Sequence, residues 1–149
     1  MASINSDGRT IQAAFGGGAL PPSYGGAGFK VYHDTATLTG LVATNTATFA
    51  EGIPNGSKIF RNLSFIYTED QGTGGTFSLG DAASATRFIS SADGDTAAVT
   101  VALTEDATNL SNIYTVAVDN WKPVLTRNTQ SVTGSPVVDL WIFYLPPTA

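Results

Sequence analysis

The sequence contains no cysteine and only one histidine among its 149 residues. The absence of cysteine excludes disulfide bonds and thiolate metal sites, and one histidine is too few for an ordinary zinc site. Charged residues make up 13% of the chain, against about 25% in ordinary soluble domains. The net charge is −5 and the seven basic residues are scattered, so we expect no direct binding of nucleic acid.

Long hydrophobic runs are also missing. The longest, Leu140 to Leu145, is far shorter than the roughly 20 residues of a membrane span, so we expect no membrane partner. The N-terminus lacks the basic and apolar blocks of a signal peptide. We therefore expect assembly in the cytoplasm of a host, without export.

Small and hydroxyl-bearing residues take the place of charge, because Thr, Ala, Gly and Ser fill 67 of the 149 positions. Hydroxyl groups cost less to desolvate than ions, so such a surface suits contact with other protein subunits. Composition alone is equally compatible with a small β domain that carries Thr on its solvent faces. Both interpretations stay open at this point.

Residues 1–28 are predicted to form an extended N-terminal arm. Glycine and proline clusters at 16–18, 21–22 and 25–26 interrupt any regular element. The arm nevertheless carries four larger apolar side chains that a solvated tail would not need: Ile11, Phe15, Leu20 and Tyr24. We expect these four residues to contact a neighbouring subunit, the alternative being a leader without such a role.

From residue 29 to residue 149 the pattern predicts a single antiparallel β-sandwich domain. Nine or ten short strands alternate with turn signals, and the apolar run Val137 to Leu145 is predicted to be the last of them. The best helix candidate, Thr104 to Ser111, spans at most two turns. Strands without helical crossovers favour a sandwich or barrel, and a jelly roll is one such all-β architecture.

The longest predicted strand runs from Lys58 to Thr68. Period-two alternation places Ile59, Leu63, Phe65 and Tyr67 on the core face, with Arg61 interrupting it. The opposite face is only partly polar. This assignment assumes an uninterrupted strand.

No residue pattern indicates catalysis. His33 and Asp34 are adjacent on a strand and so point to opposite faces, and no Gly-x-Ser-x-Gly motif occurs. The glycine-rich stretches lack the helix that a phosphate site requires. We therefore expect no enzymatic activity and no cofactor. Calcium is the one metal left open, with oxygen ligands from a set of four acidic residues: Asp93, Asp95, Glu105 and Asp106.

Three aromatic positions are considered for binding. Trp121 lies in a turn and is expected to be exposed, whereas Trp141 and Phe143 lie in an apolar strand and are expected in the core. Arg87 follows the turn that begins at Gly80 and Asp81. It either pairs with Asp81 or faces a partner, and it is a second candidate for an exposed contact.

The run "NGSKIFRNLSFIYTEDQGTGGTFSLGDAASATRFISSADGDTAAV", residues 55–99, resembles small virion proteins of tailed bacteriophages. The shared features are a strand that ends in an aromatic residue and an acidic turn (Phe65 to Asp70), an apolar-Ser-Leu-Gly-Asp strand (Phe77 to Asp81), and an Arg-Phe-Ile segment (87–89). The final apolar strand also fits. The resemblance covers about a third of the chain firmly, and its motifs have no catalytic content.

The resemblance implies a capsid decoration, or cement, protein that sits on the capsid exterior. Its partner would be the lattice of the major capsid protein, and it would act as a homotrimer. Two alternatives stay open: a tail, connector or head-fibre component of the virion, and a carbohydrate-binding β-sandwich that uses Trp121 and nearby tyrosines. An enzyme is the least favoured class.

Overall fold

A computed structural model describes residues 28–95, 99–104 and 112–147 of the chain. These residues form ten β-strands and one short 3₁₀ helix (Arg61–Leu63), without an α-helix, which confirms the predicted all-β class. Of the helix candidate at 104–111, residues 105–111 lie outside the described part. The strands are β1 (Lys30–Thr37), β2 (Thr46–Thr48), β3 (Lys58–Phe60), β4 (Phe65–Thr68), β5 (Thr76–Gly80), β6 (Ile89–Asp93), β7 (Val99–Ala102), β8 (Ile113–Thr115), β9 (Val124–Arg127) and β10 (Val137–Leu145).

The strands form two antiparallel sheets. In the first sheet, β10 pairs with β1 on one side and with both β3 and β4 on the other. Strand β3 then pairs with β8, and β4 pairs with β7. The second sheet has the order β2-β9-β5-β6. Each early strand thus pairs with its counterpart counted from the other end of the chain: β1 with β10, β2 with β9, and so on to β5 with β6. A long antiparallel ribbon wound into two sheets is a jelly roll, as predicted.

The hydrophobic core lies between the two sheets. Strand β10 supplies Val138, Leu140 and Ile142, which alternate along it as the period-two pattern requires. The second sheet contributes a facing set that includes Phe77 and Leu79. The register of the central strands is fixed by this burial, because a slip of one residue would expose every core side chain of a strand.

The outer side of β10 differs from the prediction. Trp141 and Phe143, which were expected in the core, are only half-buried and lie on the outer face of the first sheet. The reason is the alternation itself: once Leu140 and Ile142 point inward, their neighbours must point outward.

The predicted strand from Lys58 to Thr68 is also interrupted, because the 3₁₀ helix separates β3 from β4. Ile59 in β3 and Arg61 at the start of the 3₁₀ helix are buried, whereas Ser64 and Ile66 are buried after the helix. The inward-facing set therefore changes from odd to even residue numbers. The core positions predicted for Leu63, Phe65 and Tyr67 are wrong, and Leu63 is 50% exposed.

In the described residues, no helix is long and apolar enough to cross a membrane.

Candidate functional site

The connection between β5 and β6 is organised by Asp81. Its carboxylate accepts hydrogen bonds from the backbone amides of Ala83 and Ser84, both at 2.9 Å, as in an Asx-type turn. The turn is tight at Gly80, where a Cβ atom would overlap the carbonyl oxygen of Ser84. Glycine is thus required at position 80 because a Cβ atom has no space there. Asp81 is favoured because its carboxylate accepts from two backbone amides of the same turn.

Three side chains from elsewhere also donate to this carboxylate. The indole Nε1 of Trp121 lies 2.8 Å from Oδ2 of Asp81, and Nε of Arg87 lies 2.6 Å from the same oxygen. The Tyr114 hydroxyl is more distant, at 3.4 Å. The question whether Arg87 pairs with Asp81 is therefore answered: it does, as a charge-assisted hydrogen bond.

The electrostatics of the cluster follow from these donors. Burial by itself would raise the pKa of Asp81, but the hydrogen bonds from Trp121 and Arg87 outweigh it, and the pKa lies below its usual value. Burial raises the pKa of Tyr114. The guanidinium of Arg87 also lies 4.8 Å from the centre of the Tyr114 ring, in cation–π geometry. The cluster is a set of mutually satisfied groups.

Trp121 is not where the sequence suggested. Its side chain is only 3% exposed, and it packs edge-on against Phe88 with ring centres 5.7 Å apart. The expectation that Trp121 is exposed is wrong, because the turn that carries it lies against the β5–β6 connection. A sugar-stacking platform built on this indole is therefore absent.

Beside the cluster lies a groove of about 440 Å³. Its walls are mostly apolar, with the side chains of Arg87 and Lys122 among them. Since the Asp81 carboxylate already accepts from five donor groups, it has no free role as a general base. The groove is thus a concave surface whose carboxylate is already engaged with donors.

Two arginines are fully buried. Arg127 is fully buried at the end of β9, where its Nη1 donates to Oε1 of Gln71 at 2.7 Å and its Nε donates to the carbonyl of Gln130 at 2.9 Å. Burial lowers the pKa of Arg127. Arg61 is also fully buried and donates from Nε to the carbonyl of Leu103. A sequence signal was available only for Arg61, which interrupts an otherwise apolar face.

His33 lies on β1, which pairs only with β10 in the described part of the chain and so forms an edge of the first sheet. Its ring stacks on Trp141 with centres 3.8 Å apart, and its Nε2 lies 3.2 Å from Asp139. Asp34 instead accepts from the backbone amides of Ala50 and Glu51. The two adjacent residues therefore have separate partners and do not form a catalytic pair.

Metal ligation was considered for four acidic residues. Glu105 and Asp106 lie outside the described residues, and the backbone amide of Asp95 donates to the Asp93 carboxylate within a turn. No group of three or more His, Asp or Glu side chains that could hold a metal ion occurs in residues 28–95, 99–104 and 112–147.

The outer side of the first sheet carries a second surface, which we call the aromatic face. Phe29 and Phe60 contact each other there with ring centres 4.8 Å apart, and Phe65 stacks near Trp141 at 6.2 Å. Several of its members are among the most exposed apolar residues of the described chain, Phe29 reaching 56%. The aromatic face consists of Phe29, Val31, Phe60, Phe65, Ile113, Trp141 and Phe143.

Of the predicted contact residues, the structure brings Arg87 and Trp121 together at one carboxylate. Whether Arg87, whose side chain is 25% exposed, also touches a partner stays a prediction. The arm residues Ile11, Phe15, Leu20 and Tyr24 lie outside the described residues. Sequence reasoning missed the aromatic face as a surface, because it assigned Trp141 and Phe143 to the core.

The sequence matches no family model and no curated protein. The fold is similar to that of a chain in the solved cyanophage Pam1 capsid asymmetric unit, with a TM-score of 0.63 and 22% sequence identity. The similarity covers 87% of this chain and 92% of that chain. At this identity, the likeness concerns the fold.

Proposed function

We propose that this chain is a structural protein of a bacteriophage virion, and more specifically a decoration protein that binds the lattice of the major capsid protein and stabilises the head. The observation that carries the proposal is the fold likeness, over most of both chains, to a chain of the cyanophage Pam1 capsid asymmetric unit. The sequence of residues 55–99, which resembles small virion proteins of tailed bacteriophages, supports the same role independently of the fold.

The chemistry of the described surface supports a binding role. The Asp81 carboxylate in the groove is engaged with donors, whereas the aromatic face presents a broad apolar area on one side of a sheet. Exposed apolar patches of this kind mark protein contact sites. The carbohydrate-binding alternative loses its main support, because it relied on an exposed Trp121.

Capsid binding by many copies would stabilise the assembled head by mass action, since a ligand that binds only the assembled state favours it. A homotrimer on the local three-fold positions of the lattice is the expected form. The decoration protein would then lie on the capsid exterior.

The test is cryo-EM of particles that carry this chain, with quantification of its copies. The proposal requires density for the jelly roll on the outside of the head and hundreds of copies per particle. A few copies or a dozen, located at the neck or tail, would assign the chain to a connector, tail or head fibre instead.

A binding assay gives an independent measure. The purified chain is added to capsids assembled from the major capsid protein of the same phage, and also to unassembled major capsid protein. Co-sedimentation with capsids, without binding to free subunits, is the expected result. Equal binding to both would contradict a role that depends on the assembled lattice.

A further inference from the structure

We propose that the aromatic face is covered by the N-terminal segment, residues 1–27, of a second copy of this chain. The inference rests on the homo-oligomer of the proposed function and adds the surface through which the copies hold one another. The fold likeness alone identifies neither the surface that the segment binds nor the partner that covers the aromatic face.

The face is apolar at one end and polar at the other. Along the β1–β10 pair, the outward residues begin with Val31 opposite Phe143 and His33 opposite Trp141. They continue with Thr35 opposite Asp139 and end with Thr37 opposite Val137, without a further aromatic residue. The apolar end is therefore the end at which β1 starts, where the chain enters the sheet.

The first described residues of the chain lie at the apolar end of the aromatic face. Gly28 and Phe29 precede β1, and the Phe29 ring lies 4.8 Å from that of Phe60 on the same face. The 27 residues that precede them are thus tethered at the border of the apolar area. Any copy placed next to this end receives the segment at a high effective concentration.

The segment is attached at the start of β1, an edge strand in the described part of the chain, at the apolar end of the face. In the homo-oligomer of the proposed function, a copy placed beside this edge brings a second aromatic face within reach of the segment. The cross-linking experiment below distinguishes that neighbouring face from the chain's own face.

The composition of the segment matches the surface. Asp7 and Arg9 are the only charged residues among the first 27, and none lies between Arg9 and Lys30. The apolar residues of the segment recur every four or five positions: Ile11, Phe15, Leu20 and Tyr24. An uncharged apolar segment loses little hydration free energy when it lies on an apolar face.

The contact joins two different surfaces, since one copy gives its segment and the next gives its face. Contacts of this kind close into a ring when the rotation between copies allows it. Three copies would then each cover one face and have their own face covered. This is the arrangement that a trimer on a three-fold position needs.

Cross-linking tests the proposal, because the chain has no cysteine of its own. Two full-length single-cysteine variants, Leu20→Cys and Val31→Cys, are co-expressed with different tags and mildly oxidised. The matched control replaces Val31→Cys by Val42→Cys, which is similarly exposed, 46% against 50%, but lies outside the aromatic face. We expect the mixed disulfide to form at least several-fold more with Val31→Cys than with Val42→Cys.

Equal cross-linking of the two pairs would overturn the proposal. So would a double variant, Leu20→Cys with Val31→Cys, that cross-links only within single chains, because the segment would then cover its own copy. Capsid co-sedimentation is measured on the same preparations. Cross-linking without capsid binding would contradict the proposed function alone, and capsid binding by a trimer without the cross-link would contradict this inference alone.

Discussion

The indole Nε1 of Trp121 donates a 2.8 Å hydrogen bond to Oδ2 of Asp81, a residue 40 positions earlier in the chain. This bond joins the turn before β9 to the connection between β5 and β6. The same carboxylate oxygen accepts from Arg87 at 2.6 Å. One buried carboxylate therefore fixes two connections that the strand pairing alone would leave independent.

Replacing Asp81 by alanine should destabilise the protein by roughly 3 kcal/mol, the lower end of the cost of removing one partner from a buried ion pair. Arg87 and Trp121 would both lose their acceptor. Urea unfolding followed by circular dichroism measures the change. Asp119→Asn is the control, because Asp119 is exposed, and it should alter stability by less than about 0.5 kcal/mol. An equally mild effect of Asp81→Ala would show that the cluster contributes little.

The stability of the folded protein should fall in acid as the Asp81 carboxylate is protonated. The pKa of Asp81 is lowered in the folded protein, as is that of Asp34, so each favours folding when ionised. Their contribution is complete above the ordinary aspartate pKa, near 3.9, and is lost as the pH falls through the lower folded values. Melting temperatures between pH 6 and pH 2.5 should show this loss. The difference between wild type and Asp81→Ala should shrink at the acid end, and a constant difference would contradict the assignment.

Gly80→Ala should destabilise the protein by about 1–3 kcal/mol, the usual cost of forcing extra atoms into a packed site. The added Cβ would overlap the backbone carbonyl of Ser84, which cannot move without breaking the turn. Gly28→Ala is the matched control, because nothing lies within 4 Å of a Cβ there. The measurement is thermal unfolding of both variants, and similar melting temperatures would refute the steric argument.

Gln71→Ala should cost roughly 1.5–3 kcal/mol, the range for a hydrogen bond to a charged group. The buried Arg127 would lose the side-chain acceptor that now lies 2.7 Å from its Nη1. Gln130→Ala serves as the control, since Arg127 bonds to the backbone carbonyl of Gln130 and not to its side chain. Equilibrium unfolding in urea should separate the two glutamine variants. If both lose the same stability, the Gln71 contact is not what holds the arginine.

Deleting residues 2–26 should leave the β domain folded with near-unchanged melting, because the core between the sheets lies within the described residues. We expect the segment to act in contacts between proteins rather than in that core, so its loss should show in assembly. Co-sedimentation of this variant with capsids should be weaker than that of the full chain. A variant that lacks only residues 2–10, and so retains Ile11 onward, should bind capsids more strongly than the variant that lacks residues 2–26. Unfolding of the shorter chain would place the segment in the domain's own core.

The sequence by itself determined the all-β class and the position of most strands. The last strand was predicted at Val137 to Leu145 and occupies those residues, because alternation and turn signals are local and need no knowledge of partners. The Gly80-Asp81 turn could be read in the same way, since its first hydrogen bonds are to amides two and three residues away. For Arg87, the sequence did not decide between pairing with Asp81 and facing a partner.

Only the tertiary structure decided which side chains point inward and what they meet. The 3₁₀ helix at Arg61–Leu63 shifts the alternation by one residue, and no local signal marked the break. Trp121 donates a hydrogen bond to the carboxylate of a residue 40 positions away, and Arg127 donates one to Gln71, 56 positions away. The aromatic face likewise exists because β1, β4 and β10 lie side by side. Period-two patterns describe one strand at a time, whereas burial depends on which strands and turns the fold brings together.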